Sequence, residues 1–414
     1  MPEEIILDEI EISPEIRIPH ILKYMGSKRE IIDFVVEAIG QVVPESNWVC
    51  DLFSGTAVVT ASLKERFNVH SNDVQSYSSV LAKTYLSDFK RNIPITTLVQ
   101  VKEDALNFIA KFKEQNPEID FNYPQNIDLK EVQKLEKAQQ DLINRPFSTG
   151  FHLFTKYYSG TYWNFQQCLW IDALRYVAEK HKDTTLYYAV ISALISAMSY
   201  VSQSTGHYAQ YRDVTSDNLE DILAYRRRDI WTYFERKFKD LITSLNGTAT
   251  NLYRITNLDY LDCLQLIDEG STVYADPPYQ SVHYSRFYHA LETLVKYDYP
   301  VVAHKGRYRE DRHSSPFGKK TTVRDAFTNL FKGVKNKNAN LALSYSNTGM
   351  ISLEAITALA EDVFGPDYQI TTIEKKHIHS TMGRADERQQ EVTEYIILFK
   401  ILQNRGLVDV GVPN

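Results

Sequence analysis

Short apolar runs ending in a glycine turn or an acid alternate with helix-spaced segments at the start of this chain. Residues 48–53 (WVCDLF) form one such run, and 56–66 carry helical character. Residues 67–73 (FNVHSND) form a second run that closes on Asp73, and 78–90 are again helical. This order of strand, helix, strand and helix predicts a parallel sheet with right-handed crossovers. From about 91 to 250 the pattern changes. Segments 101–115 and 129–144 are charged and helix-prone, an aromatic stretch fills 151–170, and helical patterns follow at 171–181 and 185–203. After about 250 the first rhythm returns, with strands expected at 271–275, 299–304 and 339–344 and a helix at 351–364. Residues 368–375 and 392–399 suit a closing antiparallel pair. The expected fold class is α/β: a doubly wound, mostly parallel sheet with an antiparallel last strand. It is split into 1–90 and 251–414 by a mainly helical insert at 91–250.

Composition refines this picture only in places. The chain has 414 residues, more than one ordinary domain needs, and 43% of them are hydrophobic, enough for a normal core. Residues 186–203 carry no charge, but serines at 192, 196, 199 and 202 interrupt them, so a buried helix is expected there rather than a membrane span. The cysteines, Cys50, Cys168 and Cys263, are far apart and show no CxxC spacing. Neither a disulfide framework nor a zinc site is expected, and a reducing, cytoplasmic setting fits. His377 and His379 lack the further ligands a metal would need.

A net charge of −7 argues against nucleic acid, and its distribution argues back. Residues 305–337 hold ten Lys or Arg against three acids. A second cluster comprises Arg226, Arg227, Arg228, Arg236, Lys237 and Lys239. Such stripes can follow a phosphate backbone, and they can equally be solvated faces.

The strongest chemical motif is Asp276-Pro277-Pro278-Tyr279, directly after an apolar strand. Ligands of open α/β sheets bind at the carboxyl ends of strands. Two prolines fix φ and remove N–H donors, leaving a rigid group of acceptors beside an aromatic ring. That arrangement suits an amine on a flat heterocycle. Asp276 and the Pro277 carbonyl can accept its two hydrogens while Tyr279 stacks. Asp51-Leu-Phe53-Ser-Gly55-Thr reads as a strand entering a tight turn and a helix, a place for a nucleoside cofactor or a plain βα turn. Asp73, at the end of the next strand, is placed for ribose hydroxyls or for a helix cap. Lys23-Tyr24-Met-Gly26-Ser-Lys28 precedes the first strand and offers a ring and a cation.

In this order the motifs resemble the D12 class of adenine-N6 DNA methyltransferases, the Dam-like group. There K-[WY]-x-G-x-K comes first, then D-x-F-x-G, then a recognition region, then DPPY. The resemblance implies a class I methyltransferase-like fold, S-adenosylmethionine as cofactor without a metal, and double-stranded DNA as partner. A monomer is taken as the default, and a cognate restriction endonuclease is a candidate partner. Asp51, Gly55, Tyr24, Lys28, Phe53 and Asp73 are then expected at the cofactor. Asp259-Tyr260 stands for the family's acid–aromatic pair, and 276–279 form the catalytic loop. The family's further glycines are replaced by Thr56 and Ala57. Target recognition falls in the insert, where His207, Gln210 and Arg212 could read or stack on bases. Arg307, Arg309 and Arg312 are expected at phosphates. Two other readings stand beside this one. One is methylation of cytosine N4 or of RNA, against which Asp276 weighs. The other is a non-catalytic DNA-binding protein on the same scaffold.

Overall fold

A computed structural model describes residues 18–89, 93–148, 150–204, 206–245, 251–278, 284–380 and 389–402, with side chains omitted for 377–380 and 389–392. Among them lie β1 (Trp48–Asp51), β2 (Asn68–Asn72), β3 (Tyr253–Thr256), β4 (Thr272–Ala275), β5 (Val302–Ala303) and β6 (Tyr308–Arg309). β7 (Asn340–Ser346), β8 (Tyr368–Ser380) and β9 (Gln389–Ile401) follow. Seven of these make one sheet in the order β3-β2-β1-β4-β7-β9-β8. The neighbours are parallel except at β9, which runs antiparallel to β7 and β8.

The alternation of side chains along each strand divides the core into two layers. Val49, Tyr274 and Ala342 face the helix Ile32–Ile39 on one side. Cys50, Val273, Leu341 and Leu343 face the helices Val323–Lys335 and Leu353–Phe364 on the other. Strands buried on both faces are mostly apolar, and β4 (TVYA) satisfies its buried Thr272 hydroxyl by donating to the Val42 carbonyl.

Helices Thr97–Gln115, Phe165–Glu179, Thr185–Val201 and Ile230–Ser244 build a third core. It is shared with Tyr77, Leu81 and Tyr85 of the helix Ser76–Leu86 and with Leu291 and Leu294 of the helix His289–Lys296. The uncharged helix 185–201 lies inside it, with Ser192 Oγ 2.7 Å from Thr84 Oγ1. No described helix is long and apolar enough to cross a membrane.

One expectation needs correction. Residues 299–304 do not join the sheet: β4 pairs directly with β7, and only Val302–Ala303 are extended, in a separate ribbon with Tyr308–Arg309. Tyr299 and His304 adopt left-handed φ angles of 50° and 59°, which break a strand at both ends. The edge strand β3 also gave no apolar run to read, because Tyr253 is exposed and the next residues are half-buried.

Candidate active site

Parallel strands bring Asp51, Asn72, Thr256 and Ala275 to one edge of the sheet. Asn72 ties that edge together, donating to the carbonyls of Leu52 and Leu258 and accepting from Leu258 N–H and Thr256 Oγ1. A cleft of about 1190 Å³ opens above it, lined by Tyr24, Lys28, Asp51, Phe53, Gly55, Asp73, Asp259, Tyr260, Asp276, Pro277 and Pro278. The residues picked from five separated places in the chain therefore share one cavity. Tyr279 lies outside the described residues.

Each side chain in the cleft has a definable role. Asp276 ends β4 and is 19% exposed. Burial pushes its carboxyl up to about 6, against the pull of Lys28. The Lys28 ammonium lies 3.0 Å from Asp276 Oδ1 and 2.9 Å from Glu394 Oε1. It was expected at the cofactor, and the structure sets it in the cleft between two protein carboxylates. Glu394, 2% exposed on β9, also accepts from Ser344 Oγ at 2.5 Å. The sequence reading missed it. The clue available was an acid inside the apolar strand VTEYIILF, since a buried charge needs a partner.

Asp73 accepts Gly55 N–H at 2.9 Å and Gln75 N–H at 2.8 Å, so it clamps two loops together. Burial raises it to about 6. Burial likewise raises Asp51 to about 7, although Thr60 donates to it through both N–H and hydroxyl. Asp259 accepts Leu261 N–H at the start of the helix Tyr260–Leu266. Phe53 stacks on Tyr260 at 5.9 Å and meets Phe317 edge-on at 5.5 Å, forming an aromatic wall. Tyr24 stacks on Tyr288 at 4.4 Å and on Tyr284 at 5.4 Å. Tyr284, Tyr288 and Phe317 sit in the segment after the DPP turn, where no pattern marked them.

Gly55 has φ +50°, and a Cβ there would meet Tyr24 Cε1 at 3.3 Å. Ala57, where the resemblance led one to expect a further glycine, takes the left-handed region at φ 58°. Gly55→Ala should lower unfolding free energy by about 1–2 kcal/mol, read by chemical denaturation. By pressing on Tyr24, it should also weaken nucleoside binding.

The expected DNA contacts divide. Arg309 is 3% exposed and forked between Asp298 and Asp311, so it fastens its own loop. Arg307 donates to the carbonyls of Tyr157 and Gln140. Arg312 lies over the Tyr308 ring beside the cleft rim. His207 stacks flat on Phe287 at 4.2 Å, Gln210 is exposed, and Arg212 pairs with Asp221. The second basic cluster also resolves into packing. Arg226 is buried on Glu136, Arg227 donates to the Pro124 and Gln125 carbonyls, and Arg228 donates to the Tyr200 carbonyl. Lys319, Lys320 and Arg324 stay exposed next to the cleft residues Phe317 and Gly318.

Beneath the cleft, Cys50, His70 and Cys263 converge, all buried, although the absence of CxxC spacing argued against any such cluster. The Cys50 hydrogen bond draws the Cys263 thiol down to about 5, and the same pairing pushes Cys50 up.

Residues 24–359 match the family described as D12 class N6 adenine-specific DNA methyltransferase. The chain belongs to this family. Among curated relatives, it is 26% identical over 388 residues to the type II methyltransferase M.FokI of Planomicrobium okeanokoites, covering 91% of this chain and 52% of that protein. It is 23% identical to the modification methylase LlaI of Lactococcus lactis subsp. lactis, covering 92% and 55%. Against the type II methyltransferase M.NlaIII of Neisseria lactamica the identity is 22%, covering 82% and 88%. The chain spans about half the length of the first two.

Proposed function

We propose that this D12-class chain transfers a methyl group from S-adenosylmethionine to the N6 amine of adenine in a specific duplex DNA sequence. The observation that carries this is that Asp276 and Lys28, the latter backed by buried Glu394, line the same cleft as Tyr24, Phe53, Asp73 and Asp259. The cleft residues fit the cofactor chemically. The Phe53–Tyr260 wall suits an adenine ring, and the carboxylates of Asp73 and Asp259 suit ribose hydroxyls. The bound sulfonium supplies an electrophilic methyl group, so no metal is needed for the transfer.

The protein supplies position and charge. Two carboxylates around one ammonium leave one net negative charge at the carboxyl end of β4. A charge fixed there favours the positive charge that grows on an attacking amine. Asp276 accepts one amine hydrogen and the Pro277 carbonyl the other. Reaching the amine requires the base to leave the helix, since the target atom is inaccessible inside a duplex. Lys319, Lys320, Arg324 and Arg312 are placed for phosphates around the cleft mouth, and the helices of 91–250 with His207 and Gln210 carry target recognition. We take the unit to act as a monomer on DNA. The names of the relatives, modification methylases among them, support pairing with a restriction endonuclease.

Mass spectrometry of nucleosides after reaction with duplex DNA and labelled cofactor tests the reaction. Label on N6-methyladenine supports it, and label on cytosine N4 or in RNA only would overturn it. The carboxyl of Asp276 adds a pH test. Burial holds it at about 6, so the accepting form is lost as pH falls through that value. Single-turnover rates should drop about tenfold per pH unit below that limb.

A further inference from the structure

We propose that Cys50, His70 and Cys263 form a binding site for one zinc-class divalent cation, which fastens β1, β2 and the helix Tyr260–Leu266 together beneath the cofactor cleft. This stands on geometry separate from the methyl-transfer site, and it holds whether or not that reading does.

The three residues are 20 and 193 positions apart in the chain, so no spacing motif announces them. Parallel pairing places Cys50 beside His70 in register on β1 and β2. The helix after β3 then delivers Cys263 from above. One ligand atom from each lies within 4.8 Å of the other two, and all three side chains are buried. Cys50 Sγ and Cys263 Sγ are 3.9 Å apart, and Cys263 Sγ is 3.9 Å from His70 Nε2. Tetrahedral zinc, with Zn–S bonds of about 2.3 Å and Zn–N bonds of about 2.1 Å, spaces its ligands by roughly 3.5–3.8 Å. Two of the three edges already match to within a few tenths of an ångström, and the third, between Cys50 and His70, is no longer than 4.8 Å.

The chemistry of the donors agrees. Two thiolates and an imidazole are a known zinc set, and two thiolates neutralise a divalent ion. A neutral site is the one charge state that an apolar layer such as this tolerates without a further partner. The histidine nitrogen that faces Cys263 Sγ is Nε2. Thr256 Oγ1 donates to Asn72 Oδ1 at 2.7 Å, so it accepts from His70 Nε2 at 2.9 Å. That leaves Nδ1 as a buried lone pair with no partner among the described residues. An ion bound through Nε2 replaces the bond to Thr256 and moves the ring proton to Nδ1, as a neutral ligand imidazole requires. Thr256 Oγ1, 4.0 Å from Cys263 Sγ, stands beside the fourth position. Deprotonation of the two thiols releases two protons as the ion enters, which balances the charge.

The test uses the full chain without a histidine tag, loaded with zinc and dialysed against metal-free buffer. Elemental mass spectrometry should find about one zinc per chain. Cys50→Ser and Cys263→Ser should each reduce this to background, while Cys168→Ser, in a different part of the core, should not. Loading the parent with cobalt(II) should give a sulfur-to-cobalt charge-transfer band, and zinc should raise the melting temperature of the parent but not of the two variants. If either variant fails to fold by circular dichroism, the cobalt band of the parent decides alone. Background metal in the folded parent, a missing band, or zinc retained in both Cys50 and Cys263 variants overturns the proposal.

Discussion

Asp276→Ala should abolish methyl transfer while leaving nucleoside binding near its parental strength. The expected loss in kcat is about 1000-fold, the upper end for removing one preorganised electrostatic contact in a water-poor site. The variant is clean because Lys28 keeps its 2.9 Å contact with Glu394 and is not stranded. Phe53, Asp73 and Asp259 lie on other elements and keep their own partners. Rapid-quench kinetics would give the rate, and titration of S-adenosylhomocysteine by tryptophan fluorescence would give the affinity. Transfer within tenfold of the parent would sink the role assigned to this carboxylate. Asp276→Asn refines the test. It keeps an acceptor oxygen but removes the charge, so a loss nearly as large would show that charge outweighs hydrogen bonding.

How far the sequence spoke for this site depended on how local each signal was. The turn after β1 and the DPP turn after β4 were legible because an apolar strand fixes where its last residue points. Asp73 was legible for the same reason. Lys28 was visible as a cation, but its task was not, because its second partner lies hundreds of residues away on β9. Cys50, His70 and Cys263 show the same limit: strand pairing, not chain spacing, makes them neighbours. Charge runs misled most. Arg226 and Arg309 look like parts of basic stripes, yet each is buried against carboxylates. Nothing in a run of Lys and Arg says which of them have such partners. The segment 299–304 failed for a different reason. Its apolar residues fit a strand, but left-handed backbone at Tyr299, His304 and Arg307 turned it out of the sheet. In the helical segment, the uncharged stretch 186–203 was expected as a buried helix and is one, because a long apolar element leaves few alternatives.

The Lys28 bridge yields the sharpest test of how the carboxylate is tuned, because its two neighbours push in opposite directions. Burial is the largest influence on Asp276; Lys28 lowers its pKa and Glu394 raises it. Lys28→Met removes the lowering charge and leaves two buried carboxylates without their shared cation. The acid limb of the rate profile should therefore move above pH 6. Stability at neutral pH should fall by about 3–5 kcal/mol, the cost of stranding a buried charge. That penalty should shrink as pH falls, because protonating one carboxylate removes the repulsion. Glu394→Gln does the reverse. It deletes the raising charge, still accepts from Ser344, and should shift the limb to lower pH. Lys28 then leans on Asp276 alone, so kcat should fall by up to about 100-fold through misplacement of the acceptor. KM for DNA should stay unchanged, since neither residue lies at the exposed basic rim. A scaffolding role for Glu394 would instead lower stability and leave the limb where it was. Opposite shifts in the two variants can arise only if both charges act on Asp276 in the working enzyme.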